Sequence, residues 1–148
     1  MRKSINRTVA TIFGAIYILV GLLGFLVTSN VGFAAPEGGR LLGIFEVNPL
    51  HNIVHLLIGA VLLYAGNKSV AIARKANIGV GAAYLLVGIL GLFIAGTDAN
   101  FLALNHADHF LHFGSALILL IVGLTQDKDH TRNDASTVGS GSGGSNVI

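Results

Sequence analysis

Four strongly apolar runs divide the chain, at 9–27, 49–66, 77–95 and 106–124, and Asp108 is the one formally charged residue in any of them. Each run, coiled as a helix rising about 1.5 Å per residue, reaches across a hydrocarbon core of roughly 30 Å. The stretches between them are polar and short, apart from 28–47. That connection centres on Pro36-Glu37-Gly38-Gly39-Arg40, and its second half, 41–45, is apolar but too short to span. It is expected to lie along the membrane interface or to pack over the mouth of a helix bundle. Asn48-Pro49 reads as a helix start, because Asn caps and Pro at the first helical position forfeits no hydrogen bond. Asn105 opens the fourth run in the same way. From Gln126 onward the chain is polar and ends GSGSGGSNVI. Such a composition buries too little apolar surface to fold. The pattern therefore predicts a transmembrane domain over 1–125 and a disordered polar tail over 126–148.

Composition agrees with the pattern. Hydrophobic residues make up 53% and charged residues 11%, against about a quarter charged in soluble domains. The fold class expected is all-α, a polytopic membrane protein with four transmembrane helices. Twenty Gly residues suit helices that pack closely in lipid. There is no Cys, which excludes disulfides, thiolate metal sites and thiol nucleophiles. The net charge of +2 does not call for nucleic acid. The partner implied is the lipid bilayer, and a homo-oligomer or a membrane-protein partner stays open.

The placement of Lys and Arg says more than their number. Arg2, Lys3 and Arg7 precede the first run; Lys68, Arg74 and Lys75 lie between the second and third; Lys128 and Arg132 follow the fourth. Only Arg40 falls on the opposite side. The positive-inside rule then places both termini in the cytoplasm, across a bacterial inner membrane. A basic start before an apolar run also describes a signal peptide. The run at 9–27 is longer than the usual apolar core of about 7–15 residues, so it is read as part of the fold.

The runs repeat. Gly14, Ala15, Tyr17, Val20, Gly21 and Gly24 recur at identical spacing as Gly81, Ala82, Tyr84, Val87, Gly88 and Gly91. Asn48, His51, Asn52 and His55 align with Asn105, Asp108, His109 and His112. The expected architecture is a duplicated two-helix hairpin, with repeat one at about 8–66 and repeat two at about 76–125, related by a pseudo-twofold axis along the membrane normal. A Gly-x-x-Tyr-x-x-x-Gly-x-x-Gly span followed by Asn-Pro-Leu-His-Asn-x-x-His-Leu, repeated in weaker form, resembles a family of small bacterial four-helix integral membrane proteins known only as a domain of unknown function. The resemblance runs over about 7–124 and implies the fold and the duplication. It carries no activity, cofactor or catalytic residue. His109 departs from the pattern, where Asn is expected.

Candidate chemistry gathers at the start of the second and fourth runs. His51 and His55 are four apart and share a helix face, as do Asp108 and His112. Facing lipid would leave these groups unsatisfied, so each helix is expected to turn its polar stripe inward. His51, His55, Asp108, His109 and His112 form a candidate metal set of a type that suits zinc, copper, nickel or iron. His55 and His112, at matched depth, form a candidate axial pair for haem b. Asp108 is placed to orient His112 or another imidazole. Asn48, Asn52 and Asn105 complete a polar seam. The same groups could simply cap helices and tie the hairpins together. They could also line a proton or small-solute path, although no charge lies deeper than the seventh helical position. Tyr17 and Tyr84 are expected to donate their hydroxyls across the bundle, and His106 is expected to be solvated. Ser115 lies too deep to serve as a nucleophile, so a Ser–His–Asp hydrolase is not expected, and the sequence leans away from an enzyme while leaving a metal-dependent or redox enzyme built on the histidine cluster open. The function expected is an integral membrane protein whose histidine cluster is structural or ligand-binding, with a haem- or metal-dependent redox protein as the alternative.

Overall fold

The computed structural model describes residues 4–128. Helix α1 spans Ile5–Gly24 and runs on through a 3-10 turn at Phe25–Val27. Two short strands follow, β1 at Gly39–Leu41 and β2 at Phe45–Val47. Helices α2 (Pro49–Lys68), α3 (Val70–Ile94) and α4 (His106–Thr125) complete the chain. All four helices are long and apolar enough to cross a membrane. The molecule is a mostly helical, polytopic membrane protein, as the four apolar runs predict.

The helices outrun the apolar stretches at their charged ends. α3 begins at Val70, seven residues before the expected start, because the Ser69 side chain caps it by accepting from the Ile72 amide. Arg74 and Lys75 are thus helical, and α2 passes to α3 through Ser69 alone. Charge at a membrane surface does not break a helix; it only ends the apolar run.

The core combines small and polar residues with a few large ones, Tyr17, Leu62, Tyr84 and Leu119, while many other large apolar side chains point outward. Leu26, Leu86, Phe93 and Phe110 are strongly exposed, whereas the buried face of α1 is Asn6, Ala10, Gly14, Tyr17, Gly21 and Gly24. In lipid this inversion is favourable, since apolar side chains need no shelter and small inward residues let backbones meet. α1 packs chiefly on α2, and α3 on α4. A methyl group added at Gly14 would sit 2.5 Å from the Leu63 amide nitrogen, and one at Gly59 would sit 2.7 Å from that of Ile18.

The two hairpins pack through corresponding positions. Gly14 meets Leu63 as Gly81 meets Leu120; Gly21 meets Leu56 as Gly88 meets Phe113; Gly24 meets Asn52 as Gly91 meets His109. Each hairpin is also tied at its basic end by one arginine. Arg7 donates through Nε to the Gly66 carbonyl at 2.8 Å, and Arg74 donates through Nε to the Gly123 carbonyl at 2.8 Å.

The long connection does pack over the bundle mouth, as a β-hairpin that the apolar stretch at 41–45 does not announce. β1 and β2 pair antiparallel, with Leu41 opposite Phe45. The tip turns at Leu42 and Gly43, both at positive φ (54° and 77°). Asparagines fasten this hairpin to the connection before α4. Asn48 Nδ2 donates to the carbonyls of Ala35 and Phe101, Asn100 Nδ2 to those of Pro36 and Leu104, and Asn105 Nδ2 to that of Ile44. Leu41, Val47, Leu102, Ala103 and Leu104 are buried beneath the ties and close the mouth.

At the opposite end α1 meets the end of α4. Asp127 accepts from the Ser4 hydroxyl at 2.7 Å and from the Asn6 amide at 2.8 Å. Gln126 and Asp127, counted with the polar tail from sequence, are therefore anchored to α1. The remainder of the tail, with His130 and Arg132, lies outside the described residues.

Candidate metal centre

Each seam residue is placed by its helix cap. Asn48 Oδ1 accepts from the His51 amide at 2.8 Å. Asn105 Oδ1 accepts from the Asp108 amide at 3.1 Å, and Asp108 Oδ2 accepts in return from the Asn105 amide at 2.9 Å. This is a capping box. It fixes where the first turn of α4 starts, and it occupies the Asp108 carboxylate. Asp108 was expected to orient an imidazole; it instead holds its own helix end, which is what the third position after a cap favours.

With both helices so fixed, three imidazoles converge on the bundle axis. His51, His55 and His112 are 2%, 4% and 1% exposed. One ring nitrogen from each lies within 4.8 Å of the other two. His51 and His55, one turn apart on α2, bring their Nε2 atoms to 2.9 Å. A hydrogen bond between two Nε2 atoms needs a donor and an acceptor, so at least one of these rings is neutral. His112 comes from α4, with its ring centroid 5.9 Å from that of His51 and 6.3 Å from that of His55.

Tyrosines frame the triad in a repeated pair. Tyr17 packs on His55 at 5.3 Å, and Tyr84 packs on His112 at 5.2 Å. The Tyr17 and Tyr84 rings lie 5.1 Å apart. The Tyr17 hydroxyl donates to Ser115 Oγ across the bundle. The hydroxyl of Tyr84 completes no hydrogen bond, although it lies close enough to Tyr17 to interact with it. The α2 position that corresponds to Ser115 is Ile58, which offers no acceptor.

The other predicted site residues lie elsewhere. His109 turns toward α3 and fills the space above Gly91. Its ring meets His106 edge-on at 5.9 Å. Asn52 Nδ2, its counterpart on α2, donates to Thr28 Oγ1. Neither belongs to the triad, and neither does Asp108. The haem alternative does not fit. His51, Tyr17 and Tyr84 pack directly around His55 and His112, and they fill the space a porphyrin would need.

The triad is also short of hydrogen bonds. Nδ1 of His51, His55 and His112 is buried without a partner, as is that of His109. The main chain at Glu46 and Leu102 approaches the His51 ring without completing a bond to Nδ1. Buried imidazole nitrogens left unpaired are costly. A purely structural network would be expected to satisfy them.

The sequence missed a second polar cluster, at the basic end. Asn6 Nδ2 donates to the Gln126 carbonyl, and Asn77 Nδ2 donates to both the Asn6 carbonyl and Asn6 Oδ1. Two lone asparagines in apolar helices were the available signal. Their meeting depends on how α1 and α3 cross, which spacing along one helix does not give.

Comparison with known proteins decides the family. A model of a domain of unknown function, DUF4383, matches residues 7–125. The chain belongs to the DUF4383 family. No curated protein and no solved structure matches it. The matched range takes in α2, α3, α4 and all but the first two residues of α1 in this DUF4383 chain, and it stops two residues before Asp127.

Proposed function

We propose that this chain is an inner-membrane metal-binding protein, holding one transition-metal ion between α2 and α4 on His51, His55 and His112. The observation that carries the proposal is the convergence of three buried imidazole nitrogens within 4.8 Å. A metal bound at about 2.0–2.1 Å by three imidazoles sets its donor atoms about 3.4 Å apart. The Nε2 atoms of His51 and His55 lie 2.9 Å apart, and the three ligand nitrogens fall within 4.8 Å, so that spacing asks for a modest rearrangement of the rings. The rings are held by packing and by the helix caps, with two of the converging nitrogens, Nε2 of His51 and of His55, turned to one another.

The orientation proposed puts both termini in the cytoplasm. Among the described residues Arg7, Lys68, Arg74, Lys75 and Lys128 sit where α1 and α3 begin and α2 and α4 end, against Arg40 alone at the other end. The β-hairpin and the triad then face the outer leaflet. We also read the matched packing of the two hairpins as the mark of a duplicated unit, whose second copy has exchanged His51 for Asp108 and Asn52 for His109. The shared site is therefore lopsided, with two ligands on α2 and one on α4.

Elemental analysis of the full chain, purified in detergent from metal-supplemented cells, tests the function. One metal ion per chain, lost in His55→Gln and in His112→Asn while helix content is kept, is the expected result. Metal-free wild-type protein after supplementation, or metal that survives both substitutions, overturns it. A reporter fused after Lys128 tests the orientation, and a periplasmic signal contradicts it.

A further inference from the structure

We infer that the triad is built for a monovalent soft cation, Cu(I), rather than for a divalent ion. The inference rests on the metal-binding function proposed above and adds the charge of the ion.

The donor set is neutral. Three imidazoles make up the group, and among the described residues no carboxylate joins it. Asp108, the carboxylate with the best position on α4, is committed to the capping box at its own helix start. A neutral donor set leaves the whole charge of the ion uncompensated inside the membrane. The electrostatic cost of burying an ion grows as the square of its charge, so a divalent ion is penalised about four times as heavily as a monovalent one. Divalent sites in proteins commonly offset this with a carboxylate, a thiolate or a bound hydroxide. This chain has no Cys, and its triad has no acid.

Coordination number points the same way. Zinc sites are almost always four-coordinate. Here three nitrogens converge, and among the described residues no fourth His, Asp or Glu joins them. Leu104 and Val47 are buried over the mouth. The Tyr17 and Tyr84 rings flank His55 and His112 from within the bundle. A filled-shell monovalent copper ion accepts three neutral imidazoles in a plane and asks for no fourth ligand, and imidazole is a donor that suits copper.

The test is a competition titration on the full chain in detergent under anaerobic conditions. One arm uses Cu(I) buffered by a chromophoric chelator, and the other uses Zn(II) buffered by a zinc chelator. One Cu(I) per chain, bound at least about 100-fold more tightly than Zn(II), is the expected outcome. His55→Gln and His112→Asn should abolish Cu(I) binding, and His109→Asn, outside the triad, should leave it unchanged. Circular dichroism and gel filtration establish that each variant is folded. Zn(II) bound as tightly as Cu(I), at one per chain and dependent on the triad, overturns the monovalent inference and leaves the metal-binding function standing. Failure of both ions to bind folded wild-type protein, or binding indifferent to the triad, overturns the metal-binding function itself.

Discussion

The two polar clusters of this bundle are built on opposite terms. At the basic end, Asn6, Asn77, Ser4 and Asp127 trade hydrogen bonds until one atom, Asn77 Oδ1, is left over. Near the mouth, three axial histidines and Tyr84 leave four buried atoms unpaired. Asn6 and Asn77 are as buried as the histidines, while Ser4 and Asp127 are half-buried, so an unpaired group costs about as much at the two asparagines as at the histidines. The first therefore works as a lock between α1, α3 and the end of α4. The second leaves the His51, His55 and His112 rings without a closed net, and it is the site proposed to hold a metal ion. On the proposed function, the two clusters differ in how completely each satisfies its own polar groups.

Substitutions should separate the clusters. The largest stability effect is expected from Asn6→Leu, which removes the Oδ1 acceptor of Asn77 Nδ2, leaving it only the main-chain carbonyl, and the two Asn6 Nδ2 bonds to Gln126 and Asp127. A loss of about 2–4 kcal/mol in detergent unfolding follows, with metal affinity unchanged. His112→Asn should do the reverse. It is expected to weaken metal binding by at least about 100-fold while moving the stability of metal-free protein by less than about 1 kcal/mol. A large loss of metal-free stability there would make the triad a lock like the other cluster.

The tyrosines sharpen the comparison on a finer scale. Tyr17→Phe breaks the bond to Ser115 and should cost about 1 kcal/mol. Tyr84→Phe removes a hydroxyl that completes no bond, and thermal unfolding should show it neutral or slightly stabilising. Equal losses at the two positions would contradict the assignment of Ser115 to Tyr17 alone.

The smallest effect is in pH. Partial burial raises the Asp127 pKa, but hydrogen bonds from the Asn6 and Ile5 amides and the Ser4 and Asn6 side chains outweigh it, and the net shift is downward. A carboxylate with a lowered folded pKa stabilises the fold above its unfolded value and loses that contribution as pH falls through the folded one. The lock should therefore loosen below about pH 4, and Asp127→Asn should flatten that part of the stability profile.

How much of this was legible in the sequence follows from the range of each interaction. The four spans were plain from the apolar runs, since lipid demands long uncharged helices. The caps were plain too, because Asn48-Pro49 and Asn105 act on the next three residues. The shared face of His51 and His55 followed from helix geometry. That His112 joins them was read from its matched depth with His55; that His109 does not was hidden in the rotation of α4 about its own axis. One clue was present: His109 stands where the first repeat has Asn52, and both abut a glycine of the preceding helix, Gly91 and Gly24. The lock at the basic end joins Asn6 to Asp127, and no local pattern announces a contact across nearly the whole chain. The hairpin over the mouth escaped because its turn rests on a leucine at positive φ, which turn chemistry does not favour.

X-ray absorption at the metal edge of the loaded full-length protein tests the central claim most directly. Three imidazole nitrogens at about 2.0 Å, with no oxygen scatterer, are predicted, and the pattern should disappear in His112→Asn. A shell dominated by oxygen, or a spectrum identical in wild type and His112→Asn, would contradict a metal held by His51, His55 and His112.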